Sequence, residues 1–591
     1  MILPLALLVV SAPAHTFTWK GTDFLLDGQP FQIRSGEMHY NRIPRAYWKD
    51  RLLKAKAMGL NTICTYVFWN EHEPEQDKWD FKDNNDVAAF VKEAQKQGLW
   101  VIVRPGPYVC SEWEWGGYPY WLANIKDLKI RQNDPKFLNL TDRYLQEVGK
   151  RLAPLTIKRG GHIIMCQVEN EYGSFGADHE YMERIKRQVQ DAGFDCELYT
   201  SDGPGQKMLE GGTLPDVLSV VNFGGGAENA FKEFAKFRQN VPRMCGEFWA
   251  GWFDHWGSPH AKTNLDAQVK DMDWFMANNV SFNIYMVHGG TNWAFMNGAN
   301  WTGKGYEPDT TSYDYDAAIA EDGRLTPKWY AFRDAIKRRL GTTEKLPEPP
   351  SDVKRIEIPE FNFEEATLLD DGPISLQSGW QTFEELNHPF GFVRYQGWVE
   401  NATKGKLELE GLQDRAIVSV KGKRIGVLDR RLKETSLDVD IPAESVVMVL
   451  VENMGRINFS KELLGERKGL TSIKLNGKPL EVPFSSTIEL DSFGEYRFEK
   501  GLVPSEPALY RTKFDVKDVG DTYFDMRGWG KGNVWINGYN LGRYWNIGPQ
   551  QTLYCPAPFL KKGKNEVIVL DLESGKKRTL SSLKDPIFNA G

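Results

Sequence analysis

Cysteine is scarce in this chain, with 6 residues among 591. So few cannot form the disulfide framework that holds small secreted domains together. Cys64, Cys166 and Cys245 lie within predicted buried strands and Cys110 follows one, so we expect small core residues rather than bridges. The sequence has no CxxC, HExxH or calcium-loop pattern, and the run at 314–316 lacks further ligands at a recognisable spacing. We therefore predict neither a bound metal nor a cofactor.

Long runs of one charge are also missing. The formal net charge is −7, and no cluster of Lys and Arg interrupts the mixture of charges, which argues against nucleic acid or an anionic membrane as a partner. Beyond the N-terminus no segment reaches the roughly 18 consecutive apolar residues of a membrane-spanning helix. The sequence thus predicts no membrane span, and it gives no indication of an oligomeric state.

The first residues, MILPLALLVVSAPAHTF, form a short apolar stretch that ends in a small-x-small pattern at 12–14. This pattern is typical of a signal peptidase site, so residues 1–14 are interpreted as a signal peptide. The lack of Lys or Arg before the apolar stretch departs from the usual form of such a segment. We expect a secreted or periplasmic protein, or a lysosomal or vacuolar one in a eukaryote.

Eight short apolar segments alternate with amphipathic stretches between residues 30 and 290. This alternation predicts an α/β fold with a parallel sheet, and eight strand and helix pairs match a closed (β/α)8 TIM barrel. The predicted strands are 31–40, 61–69, 99–108, 162–169, 196–203, 217–224, 242–249 and 281–290. The predicted helices are 46–58, 85–97, 138–152, 179–191, 227–237 and 264–277.

Two of these strands lead into a glutamate at a position that a core would not give to an acid. Glu171 follows the fourth strand in QVENEYG, and Glu247 ends the seventh in GEFWAGW. Barrel enzymes hold their active sites at this C-terminal rim, and strands four and seven can face each other across its mouth. Two converging carboxylates suit cleavage of a glycosidic bond. The alternative is that Glu171 caps the helix that follows it.

Aromatic residues are abundant, at 13% of the chain with 20 Trp. Flat apolar faces bind sugar rings well, although most of these side chains are expected in the core. The acidic balance and the aromatic content together favour a ligand that is not strongly acidic.

The pattern changes after residue 340. A charged, proline-containing segment at 341–374 reads as a linker. Short antiparallel strands with frequent turns follow, and we place two β-sandwich modules of jelly-roll type at 375–485 and 486–591. The TIM barrel is expected at 15–340.

The barrel motifs are similar to those of glycoside hydrolase family 35, the retaining β-galactosidases. Several long motifs in the same order make this resemblance specific, and it continues near the C-terminus, whereas 350–480 matches only in general character. The resemblance implies that the barrel at 15–340 is catalytic and that the second sandwich is galactose-binding-like. The motifs are SGEMHYNRIPRAYWKDRL (35–52), TYVFWNEHEP (65–74), RPGPYVCSEWEWGGYPYWL (104–122), QVENEYGSFG (167–176), GEFWAGWFDHWG (246–257), MVHGGTNWAF (286–295), TSYDYDAAIAEDG (311–323) and INGYNLGRYWNIGPQQTLYCP (536–556).

The resemblance implies that Glu171 is the acid/base and Glu247 the nucleophile of a retaining enzyme, with their carboxyl groups about 5 to 5.5 Å apart. An ionised Glu247 would raise the pKa of Glu171 until the glycosyl-enzyme forms. Ser111 departs from the family pattern, in which Ala is frequent. Trp252 and Trp256 either form a wall of the sugar pocket or pack in the core. The positions that resemble galactose contacts are Tyr66, Glu112, Asn170, Tyr285 and Tyr315.

The sequence therefore predicts an exo-acting retaining β-galactosidase that removes terminal non-reducing β-D-galactose from an oligosaccharide or glycan by double displacement. One alternative is the same mechanism on another sugar, such as an exo-β-glucosaminidase, because the two glutamates are indifferent to the sugar's identity. Another is a catalytically silent sugar-binding protein. The aglycone is not predicted.

Overall fold

The structure is a computed structural model that describes residues 15–340, 344–504, 507–573 and 578–589. The predicted signal peptide, residues 1–14, lies outside the described residues. Within them, none of the helices has both the length and the apolar composition needed to cross a membrane.

A small antiparallel sheet precedes the barrel. Phe17 and Phe24 of this sheet are buried in one cluster with Met244, the first residue of a barrel strand. The sheet therefore covers the end of the barrel at which the strands begin, opposite the mouth. Its strands are β1 (Phe17–Lys20), β2 (Asp23–Leu26) and β3 (Gln29–Pro30).

Eight parallel strands then close into a barrel in chain order. The predicted TIM barrel is confirmed. Most strands end earlier than predicted, because the polar and aromatic residues that follow them leave the sheet to build the mouth. The strands are β4 (Arg34–Glu37), β5 (Thr62–Tyr66), β6 (Trp100–Arg104), β7 (Ile163–Gln167), β8 (Glu197–Asp202), β9 (Leu218–Phe223), β10 (Met244–Trp249) and β11 (Ser281–Tyr285).

Helices fill the gaps between the strands, and the six predicted ones are found. Several begin at an Asp or Asn whose side chain accepts a backbone N–H one turn on, which satisfies an otherwise unpaired donor: Asp178 accepts from Tyr181 N at 3.0 Å. The helices are α1 (Trp48–Met58), α2 (Trp69–His72), α3 (Val87–Lys96), α4 (Pro135–Leu152), α5 (Tyr172–Phe175), α6 (His179–Asp191), α7 (Gln206–Gly212), α8 (Ala227–Phe237), α9 (Leu265–Ala277) and α10 (Pro327–Leu340).

The chain beyond β11 is almost entirely β-structure apart from α10. In chain order the strands are β12 (Ala299–Thr302), β13 (Gly305–Pro308), β14 (Phe361–Asn362), β15 (Glu365–Leu368), β16 (Leu376–Ser378), β17 (Phe392–Val399), β18 (Thr403–Glu410), β19 (Arg415–Val420), β20 (Lys423–Asp429), β21 (Ser436–Ile441), β22 (Ser445–Glu452), β23 (Ile457–Phe459), β24 (Ser472–Leu475), β25 (Lys478–Pro479), β26 (Glu481–Ile488), β27 (Glu499–Lys500), β28 (Ala508–Val516), β29 (Thr522–Asp525), β30 (Lys531–Ile536), β31 (Tyr539–Trp545), β32 (Thr552–Cys555), β33 (Gly563–Asp571), β34 (Thr579–Leu580) and β35 (Ser582–Leu583).

These strands form the two predicted all-β units. In the first, a six-stranded sheet (β16-β26-β17-β22-β19-β20) accompanies a four-stranded sheet (β21-β18-β24-β25) around one buried core. In the second, a six-stranded sheet (β27-β15-β28-β33-β30-β31) accompanies the sheet β32-β29-β35. β14 and β15 lie in the segment expected to be a linker and pair with strands of the second unit. The division of the chain at 340, 374 and 485 stays a prediction.

Both sandwiches are tied to barrel loops. Strands β12 and β13, which follow the eighth barrel strand, form a three-stranded sheet with β23 of the first sandwich region. In the second, Asp521 accepts a hydrogen bond from Tyr47 Oη at 2.5 Å, and Thr311 Oγ1 donates to the Arg543 carbonyl at 2.7 Å. Loops at the barrel mouth are therefore held from outside by the β units.

All six cysteines lie in the described residues, and each is a free thiol. Five are buried and Cys196 is half-buried. Cys64, Cys166 and Cys245 lie in barrel strands, where they fill space as small apolar side chains.

Candidate active site

Both acids lie where a barrel strand ends. Glu247 belongs to β10 and is 5% exposed. Glu171 lies beyond the end of β7, at the N-cap position of the short helix α5, but its side chain makes no capping hydrogen bond. Its backbone is left-handed, with φ at 47°, which is uncommon outside glycine, and its N–H donates to the Ser201 carbonyl at 3.0 Å. Strands β7 and β10 lie three apart around the barrel.

The acid that precedes Glu171 by two residues has a different role. Both oxygens of Glu169 accept from Arg131, each at 2.9 Å, and Oε1 also accepts from Tyr181 Oη at 3.1 Å. Glu169 and Arg131 are almost completely buried. Because its oxygens are occupied by protein donors, Glu169 holds the loop in place, and Glu171 is the acid of this motif that is left for chemistry.

Three donors surround the carboxylate of Glu247. Tyr66 Oη donates to Oε1 at 3.0 Å, Arg104 Nη2 contacts the same oxygen, and Trp249 Nε1 donates to Oε2 at 2.9 Å. An ionised carboxylate is an acceptor only, so this set of donors suits its anionic form and fixes its orientation.

Glu171 has far fewer donors. Asn222 Nδ2 donates to Oε1 at 3.0 Å. Burial and the nearby negative charge of Glu247 raise the pKa of Glu171 to about 8, against the smaller opposite effect of the Asn222 hydrogen bond. At neutral pH one carboxyl is therefore protonated beside one that is held by donors, which is the arrangement that an acid and a nucleophile need.

Arg104 is the centre of the hydrogen-bond network beneath the acids. Besides Glu247 it contacts Glu37 Oε2 at 3.1 Å, Gln167 Oε1 at 2.8 Å and Asn170 Oδ1 at 2.9 Å. Its guanidinium also lies 3.9 Å from the centre of the Tyr66 ring. Although burial favours the neutral acid, Arg104 lowers the pKa of Glu37 to about 2, so a buried carboxylate balances the cation.

Asn170 is oriented by this network. Its Oδ1 accepts from Arg104 and from Gln167 Nε2, each at 2.9 Å, and lies 3.0 Å from Tyr66 Oη. Because the oxygen is occupied, the amide nitrogen is the atom left to donate. Among the described residues Nδ2 has no acceptor, so it is available to a ligand.

Glu112 lies in a second part of the mouth, with a left-handed backbone at φ 48° and 6% exposure. Tyr313 Oη donates to its Oε2, and Tyr313 Oη lies 3.3 Å from Tyr285 Oη. Burial raises the pKa of Glu112 to about 7, although Tyr313 and the nearby Arg42 oppose this rise. Tyr315, with φ at 64°, packs edge-on against Tyr285 with ring centres 5.5 Å apart. The structure thus brings Glu112, Tyr285 and Tyr315 together.

Ser111 is buried and binds a buried cation. Its Oγ accepts from Arg42 Nη1 at 2.8 Å, and its carbonyl accepts from Arg42 Nη2 at 2.5 Å. Arg42 lies 3.9 Å from the centre of the Tyr313 ring. Ser111 is therefore linked to Glu112 through Arg42 and Tyr313.

The two tryptophans of the nucleophile loop differ. Trp252 is 44% exposed and stacks on Phe253 at 4.9 Å, so one face is free at the rim. Trp256 is buried and packs near Trp545 of the second sandwich. Trp252 stays a candidate for sugar contact, and Trp256 belongs to the domain interface.

Three residues of the site are not among those predicted from the sequence: Trp249, Tyr313 and Arg42. Trp249 and Tyr313 each lie two residues from a predicted site residue, within the motifs GEFWAGW and TSYDYD, and that spacing on a strand or extended loop was a usable signal. Arg42 lies within the motif at 35–52, but its link to the site could not be predicted, because its partners Ser111 and Asn292 come from distant parts of the chain. Arg104 ends β6 and Asn222 lies one residue before the end of β9, so a polar residue at a strand end is the signal that both carry.

The charged groups at the mouth are arranged in ion pairs and amide contacts. Within the described parts of the chain no group of three or more His, Cys, Asp or Glu is placed to hold a metal ion. Asp314 accepts a backbone N–H from Glu321 and Asp316 pairs with Lys328, so this run serves the loop that carries Tyr315.

Comparison with known proteins was made for the whole chain. Residues 23–339 match the model of glycosyl hydrolases family 35. Residues 381–482 match the first all-beta domain of beta-galactosidase, and 507–565 match its galactose-binding domain.

Full-length relatives agree with these matches. A beta-galactosidase of Xanthomonas manihotis is 45% identical over 569 residues, which cover 94% of each chain. The Homo sapiens beta-galactosidase is 38% identical, over 93% of this chain and 86% of its own length. Beta-galactosidase-1-like protein 2 of Homo sapiens is 38% identical, over 93% and 89%. The matched barrel, the two acids at its mouth and this likeness over nearly the full length show that the chain belongs to glycosyl hydrolase family 35 and is a glycoside hydrolase.

Proposed function

We propose that this protein is an exo-acting, retaining β-galactosidase that releases terminal non-reducing β-D-galactose by double displacement. The observation that carries the proposal is the asymmetry of the two acids, since Glu171 has a pKa raised to about 8 beside a Glu247 surrounded by donors. Relatives at 38% to 45% identity that are named beta-galactosidase support the choice of sugar.

In the first half-reaction Glu247 attacks the anomeric carbon as Glu171 gives its proton to the glycosidic oxygen. The bond from that carbon to the aglycone breaks, and the galactosyl group is carried as an ester on Glu247. Arg104, Tyr66 and Trp249 hold the nucleophile in a single orientation. Such positioning removes the entropic cost of bringing nucleophile and substrate together.

In the second half-reaction Glu171, now ionised, removes a proton from water, which attacks the same carbon and breaks the ester to Glu247. Because Glu247 carries no charge while it is esterified, the negative charge that raised the pKa of Glu171 is absent. The pKa of Glu171 therefore falls, and Glu171 is ionised and able to act as the base. Two inversions retain the anomeric configuration. The carboxyl separation expected for this course is about 5 to 5.5 Å.

The galactose would be held by groups that match its hydroxyls. Asn170 Nδ2 donates, Glu112 accepts, and Tyr66, Tyr285 and Tyr315 supply hydroxyls and ring faces. Tyr313 orients Glu112, and Ser111 acts through Arg42. Trp252 would contact the sugar or the aglycone at the rim.

We also infer that the chain is exported, with residues 1–14 as the signal peptide and a secreted or periplasmic site of action, or a lysosomal one in a eukaryote. N-terminal sequencing of the protein from its native source tests this proposal, because a mature chain that still begins at Met1 would contradict it.

The test of function is hydrolysis of nitrophenyl β-galactoside beside the β-glucoside, β-glucosaminide and α-galactoside, for wild type and Glu247→Ala. We expect activity on the β-galactoside, lowered by several orders of magnitude in the variant with the fold intact by circular dichroism. A preference for the β-glucosaminide would support the rival glycosidase. Silence on every substrate together with sugar binding would support the inactive sugar-binding protein.

A further inference from the structure

A second cleft lies at the junction of the barrel and the first sandwich. It encloses about 850 Å³, and ligand sites of that order are frequent at domain junctions. One wall is made by the barrel loops after β5 and β6, and the other by loops and strand ends of the first sandwich. The catalytic pair and Glu112 are not among its lining residues, so the cleft is separate from the site described above.

The walls of this junction cleft are fixed by a buried ion-pair network. Arg456 Nη2 lies 2.6 Å from Glu384 Oε1, and the same guanidinium binds Glu114, a lining residue. Asn124, which also lines the cleft, donates to the Glu384 carbonyl at 2.6 Å. Because Arg456 and Glu384 are fully buried, the two walls hold one spacing, and the cleft is a built feature of the fold.

The lining combines ring faces with side-chain amides. Trp121, Phe295 and Phe390 supply aromatic surface, while Gln76, Asn124 and Asn387 supply planar groups that both donate and accept. Apolar ring faces pack against the C–H faces of sugars, and amides bind hydroxyl pairs. This mixture of ring and amide groups is poorly suited to a purely apolar ligand.

The charge of the lining restricts the class of ligand further. Glu75, Glu489 and Asp491 are exposed in the lining, and no Lys or Arg is present there. An anionic ligand would be repelled, whereas carboxylates accept hydrogen bonds from neutral hydroxyls.

A polar atom in the cleft wall has no protein partner among the described residues. It is Nε2 of His388, whose Nδ1 lies 3.8 Å from Glu489 Oε1. Buried polar atoms are normally satisfied, so a polar ligand or its water would complete this wall.

The junction cleft also lies beside the catalytic mouth. Glu114 of its lining is two residues from Glu112 of the mouth, so their Cα atoms are at most about 7 Å apart. An oligosaccharide with its terminal sugar in the mouth would carry further sugars close to the cleft.

We propose that the junction cleft binds an uncharged oligosaccharide segment of the substrate, so that the enzyme acts preferentially on galactose-terminated oligo- or polysaccharides. This inference rests on the proposed β-galactosidase function. It locates the recognition of the oligosaccharide chain in a cleft lined by residues of both domains.

The test compares kcat/KM on nitrophenyl β-galactoside with kcat/KM on a neutral β-galacto-oligosaccharide of four or more sugars, for wild type and the double variant Glu489→Ala/Asp491→Ala. Glu495→Ala, an exposed acid outside the cleft, is the matched control. We expect the double variant to lose about tenfold on the oligosaccharide, as for hydrogen bonds to charged groups, and to keep its rate on the small substrate. The control should match wild type on both.

A second measurement uses Glu247→Ala, which cannot turn over, in calorimetric titrations with the same oligosaccharide and with oligolysine. Binding of the oligosaccharide that is weakened by Glu489→Ala/Asp491→Ala supports the proposal. Equal losses on both substrates, no loss on either, or binding of oligolysine alone would overturn it. If wild type ignores nitrophenyl β-galactoside, the proposed function fails, and the titration still reports on the cleft.

Discussion

At the scale of single residues, the two carboxylates of the mouth owe their difference to the number of donors around them. Glu247 has three and Glu171 has one. Each donor favours the ionised form of the carboxylate that it binds. The single hydrogen bond from Asn222 is therefore the contact through which the pKa of Glu171, the proposed acid, can be changed without a change at Glu247.

Asn222→Ala should move the alkaline limb of kcat/KM upward. Glu171 must be protonated to act as the acid, so activity is present below its pKa of about 8 and is lost as pH rises through that value. Removal of the hydrogen bond removes stabilisation of the ionised form, and at about 1 kcal/mol the shift is about 0.7 pH unit. The measurement is the pH profile of kcat/KM.

Ser201→Ala is the matched control, because Ser201 Oγ donates to Asn222 Oδ1 at 2.6 Å and does not contact the Glu171 carboxyl through its side chain. Its profile should shift less than that of Asn222→Ala. A limb that moves to lower pH in Asn222→Ala would contradict the assignment of Glu171 as the acid.

Arg104→Met should remove both activity and stability. The change leaves the buried Glu37 without its cation and removes one of the three donors that orient Glu247, and breaking a buried pair costs about 3 to 5 kcal/mol. We expect a lower Tm and a kcat reduced by at least about 100-fold. Arg338→Met, which breaks an exposed pair with Asp273, should cost less than about 1 kcal/mol. Normal kcat in Arg104→Met would refute this role.

At the scale of elements, the loops after β10 and β11 pack directly against the segment that carries Tyr313 and Tyr315. A Cβ built at Gly251 would lie 1.7 Å from the Tyr315 carbonyl oxygen, and one at Gly289 would lie 1.6 Å from that of Tyr313. Backbone therefore meets backbone at both positions. This close approach of the backbones fixes the positions of Tyr313 and Tyr315 relative to the two acids.

Gly251→Ala should push the Tyr315 segment outward. Overpacking of this kind costs about 1 to 3 kcal/mol, and because Tyr315 would move, KM for the galactoside should rise about tenfold for each 1.4 kcal/mol of binding that is lost. Gly465→Ala is the control, since a Cβ there meets nothing within 4 Å and the residue is exposed. An unchanged KM with an unchanged Tm would contradict the prediction, because it would show that the Tyr315 segment shifts without a cost in stability or binding.

The positions of the strands and helices could be predicted from the sequence, but most of the strand ends could not. The eight strands follow from apolar runs, and the bounds of α6 and α8 from their periodicity and flanking polar residues. The predicted strands extend too far, because a residue at the mouth such as Tyr108 is as apolar as a core residue. It differs only in that its backbone no longer pairs with the neighbouring strands. The acids were visible because a charge at a strand end is unusual. Arg42 could not be identified from the sequence, because only the folded structure brings its guanidinium against the Tyr313 ring.

At the scale of the whole molecule, the barrel and the first sandwich share buried charges. Arg456 binds Glu384 within its own domain and Glu114 of the barrel. Tyr306 Oη donates to the Gly455 carbonyl at 2.6 Å and Asn297 Nδ2 to the Met454 carbonyl at 2.9 Å. Such contacts couple the domains, so we expect them to unfold together.

Arg456→Met should uncouple them. Loss of the cation leaves two buried carboxylates unpaired, which costs about 3 to 5 kcal/mol. Differential scanning calorimetry should give one transition for wild type and a lowered or divided transition for the variant. Arg497→Met, at an exposed position of the same region, should leave the trace unchanged. A single unshifted transition in Arg456→Met would argue against this coupling.

The free thiols bear on where this fold can be made. None of its six cysteines is bridged, and burial raises the pKa of the thiols of Cys64, Cys166 and Cys245 well above the usual range, which suppresses the reactive thiolate. These three buried thiols are therefore poor targets for alkylation. Because none of the six cysteines is bridged, this fold does not depend on the thiol–disulfide balance of the compartment in which the chain folds.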